Sequence, residues 1–306
     1  MKKFIKRLLL FFLLWFIIAG AIDYYYTKKL QSSNIREIVI WEDIFKSRID
    51  SDIVYLGSSR AADHYQPYII DSILGTRSYN LGQYGQTIES DIMRYDLLSK
   101  YESQKPRLYI WDVYFNSFSL SSKYQDEQYT PYLFNKDIWN NVNKLTKHFS
   151  YIDKFLPLYR YWSKNVIPHY EALENPIRGF VYNYDKWNPD NNLILKKDTF
   201  TYSIDTLVYN SFCSTIQQMK KEGSNVVIVF SPLHKLGQDA VKDLDSFINL
   251  LQHTADKEKC IFINFIDDPM CSDSSYFKNT MHLNEIGTDY FSAKFAHIID
   301  SLCNQN

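Results

Sequence analysis

The stretch "DIVYLGSSRAADHY", Asp52 to Tyr65, runs from an apolar segment into Gly57-Ser58-Ser59-Arg60 and then into residues able to start a helix. A serine hydroxyl is a weak nucleophile at neutral pH and reacts when an imidazole within hydrogen-bond reach takes its proton, so Ser59 is a candidate for acyl chemistry. Equally, Ser58 and Ser59 can serve as helix-capping hydroxyls at a strand-to-helix turn. Three histidines bear on the choice. His282, in "NTMHLNEIG" ahead of the last helix, is the candidate base, its other reading being a neutral structural hydrogen-bonder. His234, in "SPLHKL" after an apolar run, is the reserve base. His64 stands five residues beyond Ser59, so a turn and a half of helix rotates it off the serine face; it reads as structural, or as a residue of the pocket rim. Arg60 offers a guanidinium that pairs with carboxylate or phosphate on an anionic substrate, or an ion pair with one of the chain's many acids. Cys213, Cys260, Cys271 and Cys303 form no C-x-x-C pair and no ligand spacing with histidine, so zinc is not supported.

Such side chains act together only if rigid elements bring them to one place, and in open parallel sheets that place is the carboxyl edge of the strands. Ile53 to Leu56, ended by Gly57, reads as a buried parallel strand, and "RLYIWDVYF" after Pro106 as a second. Between them "YIIDSIL" and "ESDIMRYDLLSKY" carry apolar residues at helical spacing, with a short strand expected before "YNLGQYGQT". The glycines of that last segment, Gly82 and Gly85, also read as ordinary turn residues. From 117 to 199 the pattern becomes aromatic and helical, as an inserted cap. It then returns: "IDTLVYNSFCSTIQQMKKEG" as a helix ending at Gly223, "NVVIVFSP" as a strand, "DAVKDLDSFINLLQHTA" as a helix, "CIFINFID" as a strand and "TDYFSAKFAHIIDSL" as a helix. Strand, crossover helix and strand in succession imply a three-layer α/β/α sandwich with a mostly parallel sheet. The expected divisions are a membrane anchor or signal segment at 1–30, the two parts of the α/β domain at 31–116 and 200–306, and the helical cap at 117–199.

With 306 residues, 23% charged, and a net charge of -1, the chain is a packed globular protein with neither the basic excess nor the basic stripe of a nucleic-acid binder. Aromatics make up 17%, with 25 tyrosines, which suits stacking on carbohydrate or glycolipid and equally suits filling a core. At the N-terminus Lys2, Lys3, Lys6 and Arg7 precede the apolar run Leu8 to Ile22. Ala19-Gly20-Ala21 has the small-x-small pattern of a signal cleavage site. Phe4 and Ile5 on one side and Tyr24, Tyr25 and Tyr26 on the other extend the run into an uncleaved single-pass anchor, the preferred reading. Either way the basic flank stays in the cytoplasm and the remainder is exported, periplasmic or extracellular, where disulfides are permitted.

The segments Gly57-Ser58-Ser59, "NLGQYGQT", Tyr114-Phe115-Asn116-Ser117 and Asn279-Thr280-Met281-His282, each at the end of a strand and in this order, resemble the four blocks of the SGNH (GDSL-type) hydrolase superfamily. Its envelope O-acyltransferase relatives include alginate acetylation proteins and the D-alanyl transfer protein of teichoic acids. The resemblance implies that fold, with Ser59 as nucleophile, His282 as base, and an oxyanion hole built from the Ser59 N–H, the Gly85 N–H and the Asn116 amide. The family's Gly-Asp-Ser is Gly57-Ser58-Ser59 here, its Gly-x-Asn-Asp is loosely matched, and its Asp-x-x-His has Asn279 in the Asp place. In a serine triad, Asp to Asn can cost about 10⁴ in turnover. Three outcomes follow for this chain. The Asn279 oxygen accepts the His282 Nδ1 hydrogen, or Asp273, Asp268 or Asp267 folds back to replace it, or the site binds without turning over. The implied function is an exported, anchored serine esterase or O-acyltransferase acting on an envelope glycan or glycolipid, with a multi-span membrane acyltransferase as partner and no metal or organic cofactor. The alternative is a non-catalytic glycan-binding or assembly protein of the same fold.

Overall fold

Ile53–Gly57 forms β1 with all five residues buried, as an uninterrupted apolar run requires when both faces of a strand are covered. The computed structural model describes residues 1–85, 87–119, 125–145, 148–164, 175–188 and 200–303. After β1 come α3 (Ser59–His64), α4 (Pro67–Leu74), β2 (Ser78–Asn80), α5 (Ile88–Tyr101) and β3 (Leu108–Asp112). Further along are α9 (Thr206–Lys221), β4 (Asn225–Phe230), α10 (Lys235–Ala240), α11 (Leu244–Glu258), β5 (Ile261–Asn264) and α12 (Glu285–Cys303). The five strands are parallel in the order β2-β1-β3-β4-β5, the flavodoxin-like arrangement. The chain leaves β1 for β2 on one side and returns to β3 on the other, so the topological switch lies between β1 and β3, where Gly57 pairs with Asp112.

Helices cover both faces. On one, Tyr55, Ile110, Val227 and Val229 of the strands pack with Tyr65, Ile70, Phe291 and Phe295 of α4, α12 and the turn between α3 and α4. On the other, Tyr109 meets Tyr95 of α5 at 5.5 Å and Trp111 meets Phe212 of α9 at 4.6 Å, both edge to face. Each of these side chains contributes on the order of 2 kcal/mol by leaving water. Local signals set the helix ends: Gln66 accepts from the Tyr68 and Ile69 N–H groups ahead of α4, and Asp205 from Leu207 and Val208 ahead of α9. The helix expected from Asp239 begins instead at Leu244, because Val241 leaves helical geometry to bridge Phe200.

Two compact units are present, 1–42 with 124–175 and 43–123 with 176–306. The first boundary therefore falls within α2 (Arg36–Phe45), and residues 176–188, expected in the cap, pack with the α/β body. The other unit contains α1 (Lys2–Gln31), a 3₁₀ turn over Asp126–Tyr132, α6 (Lys136–Leu145), α7 (Tyr151–Phe155) and α8 (Tyr159–Ser163). Of the expected cap, 120–124, 146–147, 165–174 and 189–199 lie outside the described residues. α1 is one continuous helix through Ala19-Gly20-Ala21, long and apolar enough to cross a membrane. Cys213, Cys260 and Cys271 are free thiols.

Candidate active site

The turn from β1 into α3 is built around Gly57. Its φ is +136°, and a Cβ there would meet the Asp112 carbonyl oxygen at 2.5 Å, so only glycine lets β1 end this close to β3. Its carbonyl accepts the Gln83 N–H at 3.0 Å, and its N–H reaches the buried Asp91 carboxylate, which also accepts from Trp111 Nε1 at 3.0 Å. Ser58 is the N-cap residue of α3, but its hydroxyl makes no capping bond. Gly82 packs directly on this helix, where a Cβ would lie 2.4 Å from the Ala62 nitrogen. Of the six residues of α3, Arg60 to His64 are buried and Ser59 alone keeps partial exposure.

His282 meets that exposed hydroxyl. Its Nε2 lies 2.7 Å from Ser59 Oγ, and its Nδ1 lies 3.0 Å from Asn279 Oδ1. The same Asn279 oxygen accepts the Met281 N–H at 2.9 Å and the His282 N–H at 3.0 Å. Two backbone donors identify that atom as the oxygen, since an amide NH₂ facing them would have donor against donor. The ring Nδ1 must then carry the hydrogen, leaving Nε2 unprotonated to accept the Ser59 hydroxyl. Of the acceptors considered for the His282 Nδ1 hydrogen, the Asn279 amide oxygen is the one present. Asp268 pairs with Lys294, and Asp273 accepts the Ser275 N–H on an exposed turn.

The loop carrying this histidine is held by tertiary contacts. Lys278 N–H donates to the His282 carbonyl at 3.0 Å, and Leu283 N–H donates to His64 Nε2 at 3.2 Å. Gly237 of α10 admits the Thr280 carbonyl and Gly287 of α12 admits that of Tyr276, at positions a Cβ would meet at 2.6 and 2.0 Å.

Three expected contact residues turn inward. Arg60 is fully buried; its guanidinium donates to the Ser231 hydroxyl at 3.0 Å and to the Ser231 carbonyl and lies over the Phe230 ring at 4.6 Å. It is therefore neither a surface ion pair nor open to a substrate anion, because α3 presents it to the end of β4. His64 is also fully buried, bridging Ser231 Oγ at 2.9 Å and the Leu283 N–H, so it positions the His282 loop and does not line a rim. Burial holds it well below the ordinary histidine range. His234 is buried as well, its Nδ1 accepting the Leu236 N–H at the start of α10 and its ring packed on Trp187 at 4.5 Å, which leaves it a helix cap and not a base. Gly85 sits on an exposed turn with φ +64°, and Asn116 in the turn after β3 with its side chain bonded to Tyr114.

Sequence reasoning passed over Asp63. It lies four residues after Ser59 in α3, is 2% exposed, accepts the Tyr84 hydroxyl and pairs with Lys278 at 2.9 Å. Its one sequence signal is that i, i+4 spacing, which puts it on the nucleophile's side of the helix. Burial pushes His282 down to about 4; the Asp63 charge opposes that shift, while Lys278 and Arg60 add to it. The sign is then fixed for any reaction using this imidazole as base. Neutral His282 is the active form, so kcat/KM should stay level as pH falls through 6.5 and drop only near pH 4. A pH–rate profile with its acid limb between 6 and 7, the range of an unperturbed histidine, would contradict the assignment.

No protein-family model and no curated protein matches the chain. Among solved structures it is similar to a G-D-S-L family protein from Desulfitobacterium hafniense DCB-2 described as lipolytic, at 11% identity over 80% of this chain and 98% of that one, TM-score 0.41. A second is a catalytic mutant of an acetylxylan esterase from Geobacillus stearothermophilus, at 10% identity over 81% and 93%, TM-score 0.38. A third is described as an acylhydrolase from Bacteroides fragilis NCTC 9343, at 12% identity over 83% and 86%, TM-score 0.39.

Proposed function

We propose that this chain is a membrane-anchored serine esterase or O-acyltransferase working through an acyl-serine on Ser59. The observation that carries the reading is the 2.7 Å contact between Ser59 Oγ and His282 Nε2, with Nδ1 committed to Asn279. Ser59 Oγ bonds to the acyl carbon of an ester as Nε2 takes its proton, and the imidazolium returns that proton to the departing alkoxide. Water or an acceptor hydroxyl then attacks the acyl-serine, giving its proton to Nε2 and restoring the serine. The Ser59 N–H, the Gly85 N–H and the Asn116 amide are the proposed oxyanion donors. Transfer to an envelope glycan or glycolipid, with acyl groups supplied by a multi-span membrane acyltransferase, is supported by the four sequence blocks and by α1. The basic cluster before α1 supports a cytoplasmic N-terminus and an exported α/β unit.

A second reading has one observation in its favour: the hydrogen-bond acceptor for His282 Nδ1 is a neutral amide, as in a site that binds without turning over. The full chain in detergent distinguishes the two when treated with an active-serine phosphonate, followed by mass spectrometry of the adduct. Covalent labelling at Ser59 is expected. A folded protein that remains unlabelled and does not hydrolyse p-nitrophenyl acetate would leave the binding or assembly role.

A further inference from the structure

The outer end of α1 carries a surface that the proposed chemistry does not use. From Phe4 to Ile18 the large apolar side chains of this helix are exposed. The uncharged run Leu8 to Ile22 spans roughly 22 Å at 1.5 Å per residue. Phe4 and Ile5, beyond Lys6 and Arg7 whose long stems let their charges reach the headgroups, extend it toward the depth of a hydrocarbon core. At the residue after Ile22 the helix becomes a packed element. The Asp23 carboxylate accepts the Leu158 N–H at 2.8 Å and pairs with Arg160. One turn on, Thr27 bonds the Tyr161 hydroxyl and accepts from Arg160 at 3.0 Å. The α7–α8 hairpin is thus tied to α1 within the first turns beyond the apolar stretch. A carboxylate at that depth facing lipid would be costly, and the Arg160 guanidinium supplies the partner that makes it tolerable.

The same hairpin exposes Tyr151 (70%), Ile152 (56%), Phe155 (57%) and Trp162 (73%). Tyr151 stacks on Phe155 at 6.2 Å, Phe155 meets the exposed Phe134 at 6.0 Å, and Lys154 lies over the Trp139 ring at 4.3 Å. Exposed aromatics in mutual contact with a lysine among them are poor company for bulk water and suit the headgroup region, where apolar ring bodies and polar tips are both satisfied.

We propose that α7–α8 is an interfacial segment seated in the headgroup layer of the bilayer that α1 crosses, so that this unit meets the membrane through two elements. The inference rests on the anchor reading of α1. Continuity selects the occupant: a surface fixed to the first turns of a spanning helix lies at the depth of its lipid headgroups.

The test uses the full chain in phosphatidylcholine–phosphatidylglycerol vesicles, with an NBD probe on Phe155→Cys, Trp162→Cys, Leu9→Cys or Ser32→Cys and the unsubstituted chain as labelling background. Ser32, the C-cap residue of α1, is exposed roughly 13 Å beyond Asp23 at 1.5 Å per residue, and serves as the ruler above the membrane. Shallow doxyl lipids should quench the Phe155 and Trp162 probes about twofold or more beyond Ser32, and deep doxyl lipids should quench Leu9. Quenching at Leu9 with Phe155 and Trp162 no more affected than Ser32 would overturn the interfacial segment and leave the anchor standing. No quenching at Leu9 would remove the anchor, and this inference with it.

Discussion

Ser59→Ala is expected to lower turnover of an activated ester by about 10⁴ to 10⁶ and to abolish phosphonate labelling, the loss seen when a serine nucleophile is removed and only binding and oxyanion donors remain. Stability should scarcely change, because the hydroxyl is partly exposed and its hydrogen bond among the described residues is the one to His282. His282→Ala should cost a similar factor, since a hydroxyl without a base is as inert as no hydroxyl. The double variant should be no worse than either single one, as expected for groups acting as a unit. Turnover of p-nitrophenyl acetate and thermal melts of the three variants check this together. Additive losses, or wild-type turnover in Ser59→Ala, would remove the dyad from the chemistry.

Asn279→Asp should increase activity. The loss of about 10⁴ on changing Asp to Asn in a serine triad is attributed to the wrong imidazole tautomer. In this chain the Met281 and His282 N–H groups already orient the amide so that its oxygen faces Nδ1. The tautomer is therefore correct and only the charge is missing. A carboxylate oxygen can accept the same three hydrogens and adds an anion beside the developing imidazolium. His282, held at about 4, should move up toward its ordinary 6.5. Two units of that movement correspond to about 2.7 kcal/mol, or roughly a hundredfold in stabilising the protonated ring. Two readouts should change together: kcat should rise by about one to two powers of ten, and the acid limb of the pH–rate profile should shift upward from near 4. An unmoved limb would show that this oxygen does not couple to His282, whatever happened to kcat.

Much of the site was legible because its local chemistry is. Buried parallel strands read as continuous apolar runs, so Ile53 to Gly57 and Asn225 to Phe230 stand out in the sequence. Ser59 lies two residues beyond β1, and His282 lies in the connection from the last strand to the last helix, which is enough to nominate them. Arg60 and His234 misled for one reason, whereas His64 is structural, as its spacing from Ser59 suggested. Polar type is a property of the residue, whereas the direction in which it is buried depends on what packs against it. On the six-residue α3, every position but Ser59 faces the sheet or a loop, so an arginine and a histidine next to the nucleophile serve as ties to Ser231. Asp63 was missed for the complementary reason, since an acid in a short helix carries no sign that a lysine more than two hundred residues away will neutralise it.

By itself the sequence determined the apolar runs, the glycine that ends β1, the apolar N-terminal helix and the residue types available at the strand ends, all consequences of local patterning. Only the tertiary structure decided that β1 lies between β2 and β3, that the Asn279 amide and not a nearby aspartate faces the imidazole, and that His282 reaches Ser59 at 2.7 Å. The reason is that a parallel sheet pairs strands distant in sequence and leaves no local trace of their order. The loop bearing His282 is likewise held by backbone contacts at Gly237 and Gly287, whose partners come into place only once α10 and α12 have packed.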